Sequence, residues 1–229
     1  RHFIRCLLAP ALLFLHMVTF AEDIDLFVGL TEGDVPNLPN VLFVLDNAAN
    51  FSASAATCTY PDGTAPTMNG TIGGVEQCAL YAAIENLEVD EEDGSAKINI
   101  GLMAYNANNF VDWDGKKCDE TSPLGGCLMV PLTPMTEANK AKILSWIKTW
   151  ESKEKDKPSY AIKTNQAATG AVMQEAWAYF SGHTGISGRS YKDIKPASVC
   201  LKNYVVFVSG AEKTPADQAG DKGPKNALE

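Results

Sequence analysis

Three short, mainly apolar segments stand out in the hydrophobic pattern of this chain, and each ends in small or polar residues. They cover residues 41–45, 97–106 and 202–210, and the first is an unbroken run that stops at Asp46. Apolar runs without polar alternation are typical of strands in a parallel sheet that is covered on both faces. The pattern therefore predicts three buried strands.

Segments with helical spacing lie between these strands and predict helices over 73–88, 137–151 and 166–181. Thr136 stands at the N-cap position of the second helix, and 127–132 predicts one more short strand. Strands that alternate with helices imply right-handed crossovers and a parallel sheet. The predicted fold class is α/β, a three-layer, Rossmann-like domain with a mainly parallel central sheet that is incomplete at the C-terminus.

The helix predictions depend on apolar residues that recur every three or four positions. These residues are Val75, Ala79, Ala83 and Leu87 in the first helix, Ile143, Ile147 and Trp150 in the second, and Gly170, Met173, Trp177 and Phe180 in the third. We expect the aromatic side chains of the third helix to belong to the core rather than to a cofactor site.

The first residues predict an export signal and not a part of the core. A basic start precedes the nearly all-apolar residues 6–20, and the small Ala21 follows, which is typical of a Sec-type signal peptide. An N-terminal membrane anchor is the alternative, but the apolar run is short for a span. We predict a signal peptide over 1–21 and one domain over 22–229, with an insertion at 109–128.

Acidic residues outnumber basic ones, 28 to 19, and the formal net charge of the whole chain is −9. Removing the signal would take away Arg1 and Arg5 and no acid, so the mature chain would be more acidic still. An acidic exported chain without a basic stripe argues against nucleic acid as a partner and against a polybasic membrane contact. No later segment is long enough to cross a bilayer, so we predict no stable membrane span in the mature chain.

The cysteines predict disulfides, which are the default in an exported chain. Cys118 and Cys127 flank a turn-rich loop, and Cys58 and Cys78 bracket a loop rich in Gly, Pro and Asn. Each pair would pin a loop that has little core of its own. Cys200 is left without a partner, which we interpret as a sign of truncation, since the end of the chain resembles the middle of a loop.

Catalytic motifs are scarce. The predicted mature chain keeps one histidine, His183, in a Gly-rich loop, and no nucleophile elbow or phosphate-binding loop follows any strand. We therefore predict that the protein is not an enzyme and that His183 is solvated. Asp46 is the better candidate for function, because ligands of open α/β sheets bind outside the carboxyl ends of the strands.

The apolar strand that ends in Asp46 resembles the first strand of a von Willebrand factor A domain. In that family a metal-ion-dependent adhesion site opens with Asp-x-Ser-x-Ser, whereas the sequence here runs Asp46, Asn47, Ala48, Ala49, Asn50. The acid is kept and both serines are gone. A hard divalent cation needs several oxygen ligands, and of these residues Asn50 could only substitute weakly.

The family pattern takes its other metal ligands from a Thr just before a helix and from a Thr/Ser-Asp-Gly turn. Here Ala167 stands at the Thr position with Thr169 two residues on, and Ser209-Gly210-Ala211 stands where Ser-Asp-Gly is expected. The resemblance implies at most a weak, degenerate Mg2+ or Ca2+ site at Asp46 and Asn50, and no other cofactor. The alternative role for Asp46 is a loop-capping acid that accepts backbone N–H bonds. The predicted ligand-binding face is Asp46, Asn50, Thr169 and Ser209.

Several blocks of sequence between about residue 22 and residue 210 resemble a more specific family within this fold. They include Pro39-Asn-Val-Leu-Phe-Val-Leu-Asp-Asn47, Ile98-Asn-Ile-Gly-Leu-Met103 and Cys200-Leu-Lys-Asn-Tyr-Val-Val-Phe-Val208. Together they resemble the N-terminal portion of PilY/PilC-type adhesins at the tip of type IV pili. That family implies export to the surface, pilus tip or outer membrane of a Gram-negative bacterium, with roles in pilus assembly and twitching motility. It also implies pilins or minor pilins and a surface or host receptor as partners.

Two alternatives to an adhesion and assembly module stay open at this point. One is a structural, pilus-priming subunit that binds no external ligand. The other is a secreted α/β hydrolase, which the histidine count disfavours.

Overall fold

The sheet is built around β1, Asn40–Leu45, the strand that the apolar pattern marks most clearly. The computed structural model describes residues 38–90, 92–105, 110–115, 118, 124–150, 162–164, 169–196 and 202–209. These residues belong to a compact unit that extends from Pro36 to Glu229. The predicted signal peptide, the start of the predicted domain at residue 22, and Cys200 lie outside the described residues.

Four strands form one sheet in the order β3-β2-β1-β4. The other strands are β2, Asn99–Tyr105, β3, Gly126–Pro134, and β4, Asn203–Val208. Both neighbours of β1 run parallel to it, as the sequence predicts for three apolar segments. The short strand predicted at 127–132 is β3, and it runs antiparallel to β2 with irregular register. An antiparallel edge strand on an otherwise parallel sheet is common in doubly wound folds.

In the ranges that the structure describes, three α-helices pack on the sheet: α1, Ile72–Glu85, α2, Glu137–Ile147, and α3, Thr169–Ser181. Thr71 and Thr136 cap the first two, because their side chains accept the N–H of Gly74 at 3.1 Å and of Asn139 at 3.3 Å. The cap predicted at Thr136 is therefore confirmed. A short 3-10 helix, Ala49–Ser52, follows β1.

Two hydrophobic clusters lie on opposite faces of the sheet and define the three layers. Alternate side chains of β1 enter different clusters: Val41 and Leu45 join the side chains of α1 and α2, whereas Leu42 and Val44 join those of α3. This alternation follows from the two-residue period of a strand. The α/β class with a mostly parallel sheet is thus observed, and it is compatible with a Rossmann-like fold.

Two expectations about helix faces are wrong. In α1 the stripe that contains Val75 is the outer one, and the buried face carries Gln77, Leu80, Tyr81 and Ile84. In α3 Trp177 is 58% exposed, and the buried face carries Val172, Glu175, Ala176 and Tyr179. Phe180, the other aromatic residue of the predicted stripe, is partly buried against the hydrophobic cluster on this side of the sheet, as expected. Both helices have apolar residues on two faces, so spacing alone does not select the face that packs.

The predicted cysteine pairs lie at disulfide distance, with Cα–Cα separations of 6.5 Å for Cys58–Cys78 and 5.5 Å for Cys118–Cys127. The first joins the loop after the 3-10 helix to α1. The second joins the insertion to the start of β3. Within the described ranges, no helix combines the length and the apolar character that crossing a bilayer requires.

Candidate functional site

The candidate site lies at the point of the sheet where the order of the strands reverses. From the central strand β1 the chain proceeds to β2 on one side, and β4 pairs on the other side. The order β3-β2-β1-β4 matches the first four strands of the doubly wound arrangement, in which ligands bind in the crevice beyond the carboxyl ends of the strands at the switch point. We call the residues gathered at this crevice the rim; they are 46–52, 162–164, 169 and 209.

Asp46 connects the two strands that border the crevice. Its backbone N–H donates to the Val208 carbonyl at 2.9 Å, and its Oδ2 accepts the Ser209 hydroxyl at 2.6 Å. Its Oδ1 accepts the N–H of Ala48 at 3.1 Å, and the side chain is only 3% exposed. The acid therefore has the loop-capping geometry that the sequence offered as one alternative, and it also bridges β1 to the residue after β4.

Asn47 anchors the rim to the third strand end. Its amide Nδ2 donates to the carbonyls of Tyr105, at 3.1 Å, and Ile162, at 2.5 Å. Its own carbonyl accepts the N–H of Thr164 at 2.8 Å, so the side chain and the main chain of one residue hold segment 162–164. Asn47 is fully buried. Sequence reasoning gave it no role, although an amide directly after a strand, beside the candidate acid, was a usable signal.

The four residues of the predicted binding face are placed differently. Asp46 and Ser209 are in direct contact. Thr169 begins α3 and shares a 2.6 Å hydrogen bond with the Tyr105 hydroxyl, so it is held at the end of β2. Asn50 lies in the 3-10 helix, and among the described contacts its side chain makes no hydrogen bond to Asp46. The structure thus brings two of the four together and places the other two in flanking elements of the rim.

A positive charge accompanies the acid at the rim. The Lys163 ammonium donates to the Ser52 hydroxyl at 2.8 Å and is near the surface. This contact joins the segment before α3 to the 3-10 helix after β1. The rim therefore contains an ammonium group near the surface, paired with the Ser52 hydroxyl, and a buried carboxylate, paired with the Ser209 hydroxyl.

The rim residues fit a tightly bound divalent cation poorly. One carboxylate is present, its two oxygens already accept hydrogen bonds from Ala48 and Ser209, and Ala48 has no ligand atom. In the part of the chain that the structure describes, no group of three or more His, Cys, Asp or Glu residues is arranged for a metal ion. Magnesium and calcium usually need several oxygen ligands with more charge than one acid supplies.

His183 lies on the surface at the other end of α3. Its ring stacks on that of Trp177, with centroids 4.9 Å apart and an interplanar angle of 27°. No acid orients the imidazole among the described contacts, which leaves it without the partners of a hydrolase triad.

Comparison with protein family models, with curated proteins and with solved structures finds no match to this chain. What the rim can do is therefore inferred from its own residues and from the topology that gathers them.

Proposed function

We propose that this chain is an exported, non-enzymatic binding module of the von Willebrand A type, and that it belongs to a type IV pilus tip protein. It would bind pilins or a surface receptor through the rim. The observation that carries this proposal is the position of Asp46, at the switch point of the sheet and bonded to Ser209 from the neighbouring strand.

Topology and charge support binding at the rim. Crevices at switch points are where open α/β sheets take their ligands, and the loops there are held on rigid strands by Asn47 and Asp46. The charged Lys163 lies near the surface, where it can meet an acidic or polar group of a protein partner. Binding through these groups would not depend on a metal, since the metal ligands of the resembled family are largely replaced.

Two observations support a non-catalytic, exported protein. His183 stacks on an exposed tryptophan and, among the described residues, its ring makes no hydrogen bond to an acid that could take part in acid–base catalysis. The two cysteine pairs at disulfide distance favour an oxidising compartment outside the cytosol. Both agree with the sequence resemblance to pilus tip adhesins, on which the assignment to pili rests.

A charge reversal at the rim tests the proposal. The full chain is labelled with a fluorophore and titrated with purified type IV pili and, separately, with epithelial cell monolayers. We expect Lys163→Glu to weaken binding to at least one of them, most strongly at low salt, because a charge at the edge of an interface acts mainly on the association rate and its salt dependence. The fold should be unaffected, because the side chain lies near the surface.

The matched control is Lys97→Glu. Lys97 pairs with Glu88 on the surface and precedes β2, at the opposite end of the strands from the rim. The Lys97→Glu variant should bind as the unchanged chain does. Equal losses in both variants would indicate nonspecific electrostatics, and full binding by Lys163→Glu would reject the rim as the binding face.

A further inference from the structure

A row of asparagine side chains crosses the sheet at the end opposite the rim. Each parallel strand begins with asparagine, and the register places Asn99, Asn40 and Asn203 side by side. The Asn99 amide donates to Asn40 Oδ1 at 2.8 Å, and the Asn40 amide donates to Asn203 Oδ1 at 2.8 Å. We call these three residues the asparagine ladder.

The asparagine ladder has a direction, because the Asn99 and Asn40 amides both donate toward β4. At the β3 end it is closed: Asn99 pairs with Pro134, which has no N–H, and Asn99 Oδ1 is buried without a hydrogen-bond partner in the described structure. At the β4 end it is open. Asn203 is exposed, and its amide N–H groups have no acceptor among the described residues. Among the described residues, the ladder therefore ends in a donor that has no acceptor.

The main chain of β4 is open on the same side. The Asn40 and Asp46 N–H groups donate to Lys202 and Val208 at 2.8 and 2.9 Å, so even-numbered residues of β4 pair with β1. The N–H and C=O groups of Asn203, Val205 and Phe207 then point to the outer edge. In the described part of the chain, β4 is hydrogen-bonded to β1 alone.

The side chains of β4 indicate what kind of group fits this edge. Val205 and Phe207 are 39% and 37% exposed on the face of the asparagine ladder, and Val206 is 39% exposed on the other face. Parallel strands with apolar residues on both faces normally have both faces covered. A run of free main-chain donors and acceptors beside apolar side chains is what β-strand addition requires.

We propose that the outer edge of β4 is a docking site for an extended segment of another polypeptide. This segment pairs parallel to β4 and places a side-chain carbonyl, as in asparagine, opposite Asn203. It carries apolar residues two and four positions further on, opposite Val205 and Phe207. The inference goes beyond the proposed function, because it concerns the sheet edge and not the rim.

A second copy of the chain fits this edge less well. Dimers with twofold symmetry pair the same surface of both subunits, and edge strands joined across such an axis in a continuous sheet run antiparallel. That arrangement would place the free amide of Asn203 against the apolar end of β4. The ladder instead selects a parallel strand whose first residue supplies an acceptor, as β1 does for β2 and β4 does for β1.

Two soluble peptides test the proposal on the full chain. The probe copies β1, Asn-Val-Leu-Phe-Val-Leu, with flanking lysines and a fluorophore, and the second peptide has leucine in place of its asparagine. We expect the asparagine peptide to bind roughly two- to tenfold more tightly in anisotropy titrations, the contribution of one hydrogen bond. Hydrogen exchange at the amides of Asn203, Val205 and Phe207 should slow on binding.

Two substitutions in β4 distinguish the contribution of the Asn203 side-chain amide to peptide binding from that of the strand edge. Asn203→Asp keeps the acceptor for Asn40 and removes the outward donor, so the preference for the asparagine peptide should disappear while circular dichroism stays unchanged. Val205→Lys should weaken both peptides at least roughly tenfold, since lysine on an edge blocks strand addition. Trp177→Lys, an equally drastic change on an exposed apolar side chain of α3, should leave binding intact.

Three results would overturn the proposal. The first is equal affinity for both peptides, or none at all, in a folded chain. The second is exchange protection outside β4. The third is a dimer in sedimentation that Val205→Lys abolishes, since the occupant of the edge would then be a second copy.

Discussion

Asp46 and Glu175 are two of the three acidic residues that are buried in the described part of the chain, the third being Glu76, and the surroundings of these two are very different. Glu175 is completely enclosed and accepts three hydrogen bonds from the loop after α3: from the N–H and the hydroxyl of Ser187, at 2.9 and 2.5 Å, and from the hydroxyl of Tyr191, at 2.6 Å. Asp46 accepts one bond from its own loop and one from the residue after β4, at a crevice of the sheet.

The backbone around the two acids confirms the contrast. Gly125 and Gly185 approach Glu175 so closely that a Cβ at either position would collide with its carboxylate. No ligand can reach such a group without unfolding the loop, so Glu175 serves the fold. Asp46 lies at the place where the topology opens a site. Burial of an acidic side chain is therefore a weak indication of function in this chain. Its position relative to the carboxyl ends of the strands is a better indication.

Removing the enclosed acid should have the largest effect. Glu175→Ala leaves the Ser187 and Tyr191 donors buried without an acceptor, and we expect the free energy of unfolding to fall by about 3–5 kcal/mol. Urea denaturation measures the change. Glu88→Ala, a change of an acid whose side chain is 83% exposed, should change stability very little. A loss below about 1 kcal/mol in Glu175→Ala would contradict the structural role.

The rim acid should matter less to stability. Asp46→Ala removes the acceptor of the Ala48 N–H and of the Ser209 hydroxyl, and water can replace part of the loss at the exposed Ser209. We expect a decrease of about 1–2 kcal/mol in the free energy of unfolding. The same urea experiment checks it. A loss equal to that of Glu175→Ala would remove the distinction between the two acids.

Alkaline pH should destabilise the folded chain through its buried tyrosines, which include Tyr179 and Tyr191 on the Glu175 side of the sheet and Tyr60 on the other side, where burial also raises the pKa to about 12. Burial raises the pKa of Tyr179 to about 12, and burial next to Glu175 raises the pKa of Tyr191 further. An unfolded tyrosine ionises near pH 10, so the stability from Tyr179 is complete below about pH 10 and is lost as the pH rises through 12. Each such group should remove about 1 kcal/mol per pH unit in this window.

The variant Tyr179→Phe sharpens this test. It loses the acceptor of the Leu132 N–H, which lies 2.8 Å from the tyrosine oxygen, and so starts from a lower stability at neutral pH. Its stability should nevertheless fall less steeply between pH 10 and 12 than that of the unchanged chain. Parallel slopes in the two proteins would show that Tyr179 is not the titrating group.

Divalent cations should have the smallest effect. At a site with one acid we expect dissociation constants of millimolar or weaker, so millimolar Mg2+, Mn2+ or Ca2+ adds at most about 0.4 kcal/mol. That corresponds to roughly 1 °C in the thermal midpoint. Scans with each metal and with EDTA measure it. A rise of several degrees that Asp46→Asn abolishes would establish a metal site at the rim.

The strands and the place of Asp46 could be predicted because they depend on short stretches of sequence. An unbroken apolar run indicates a strand that is buried on both faces, and the carboxyl ends of parallel strands must meet at one edge. The direction of β3 was not predictable from its residues, since pairing direction depends on the path of the chain between the strands. The packed face of α1 was also missed, because its buried face includes the polar Gln77, whose Nε2 donates to the Ile147 carbonyl across the helix pair at 2.5 Å.

The polar networks were missed for a related reason. Glu175 shares the buried face of α3 with Val172 and Tyr179, a signal that an acid lies in a core, but its donors are 12 and 16 residues away. In the sequence, an asparagine stands at or near the start of each apolar run. Only the register of the strands shows that these three side chains lie side by side and form the asparagine ladder. Such partners are distant in sequence, and spacing along one helix or strand does not reveal them.

The central claim, that Asp46 serves binding and Glu175 serves the fold, is tested most directly by two amide variants measured in two ways. Asp46→Asn keeps an acceptor for Ala48, whereas Glu175→Gln puts an N–H2 group among the donors of Ser187 and Tyr191. For each variant we would measure the free energy of unfolding and the affinity for purified type IV pili. The account predicts opposite outcomes: Asp46→Asn loses affinity and stays stable, and Glu175→Gln loses stability and, where folded, keeps its affinity. If affinity falls only in proportion to stability in both variants, or if Asp46→Asn binds as the unchanged chain does, the claim is contradicted.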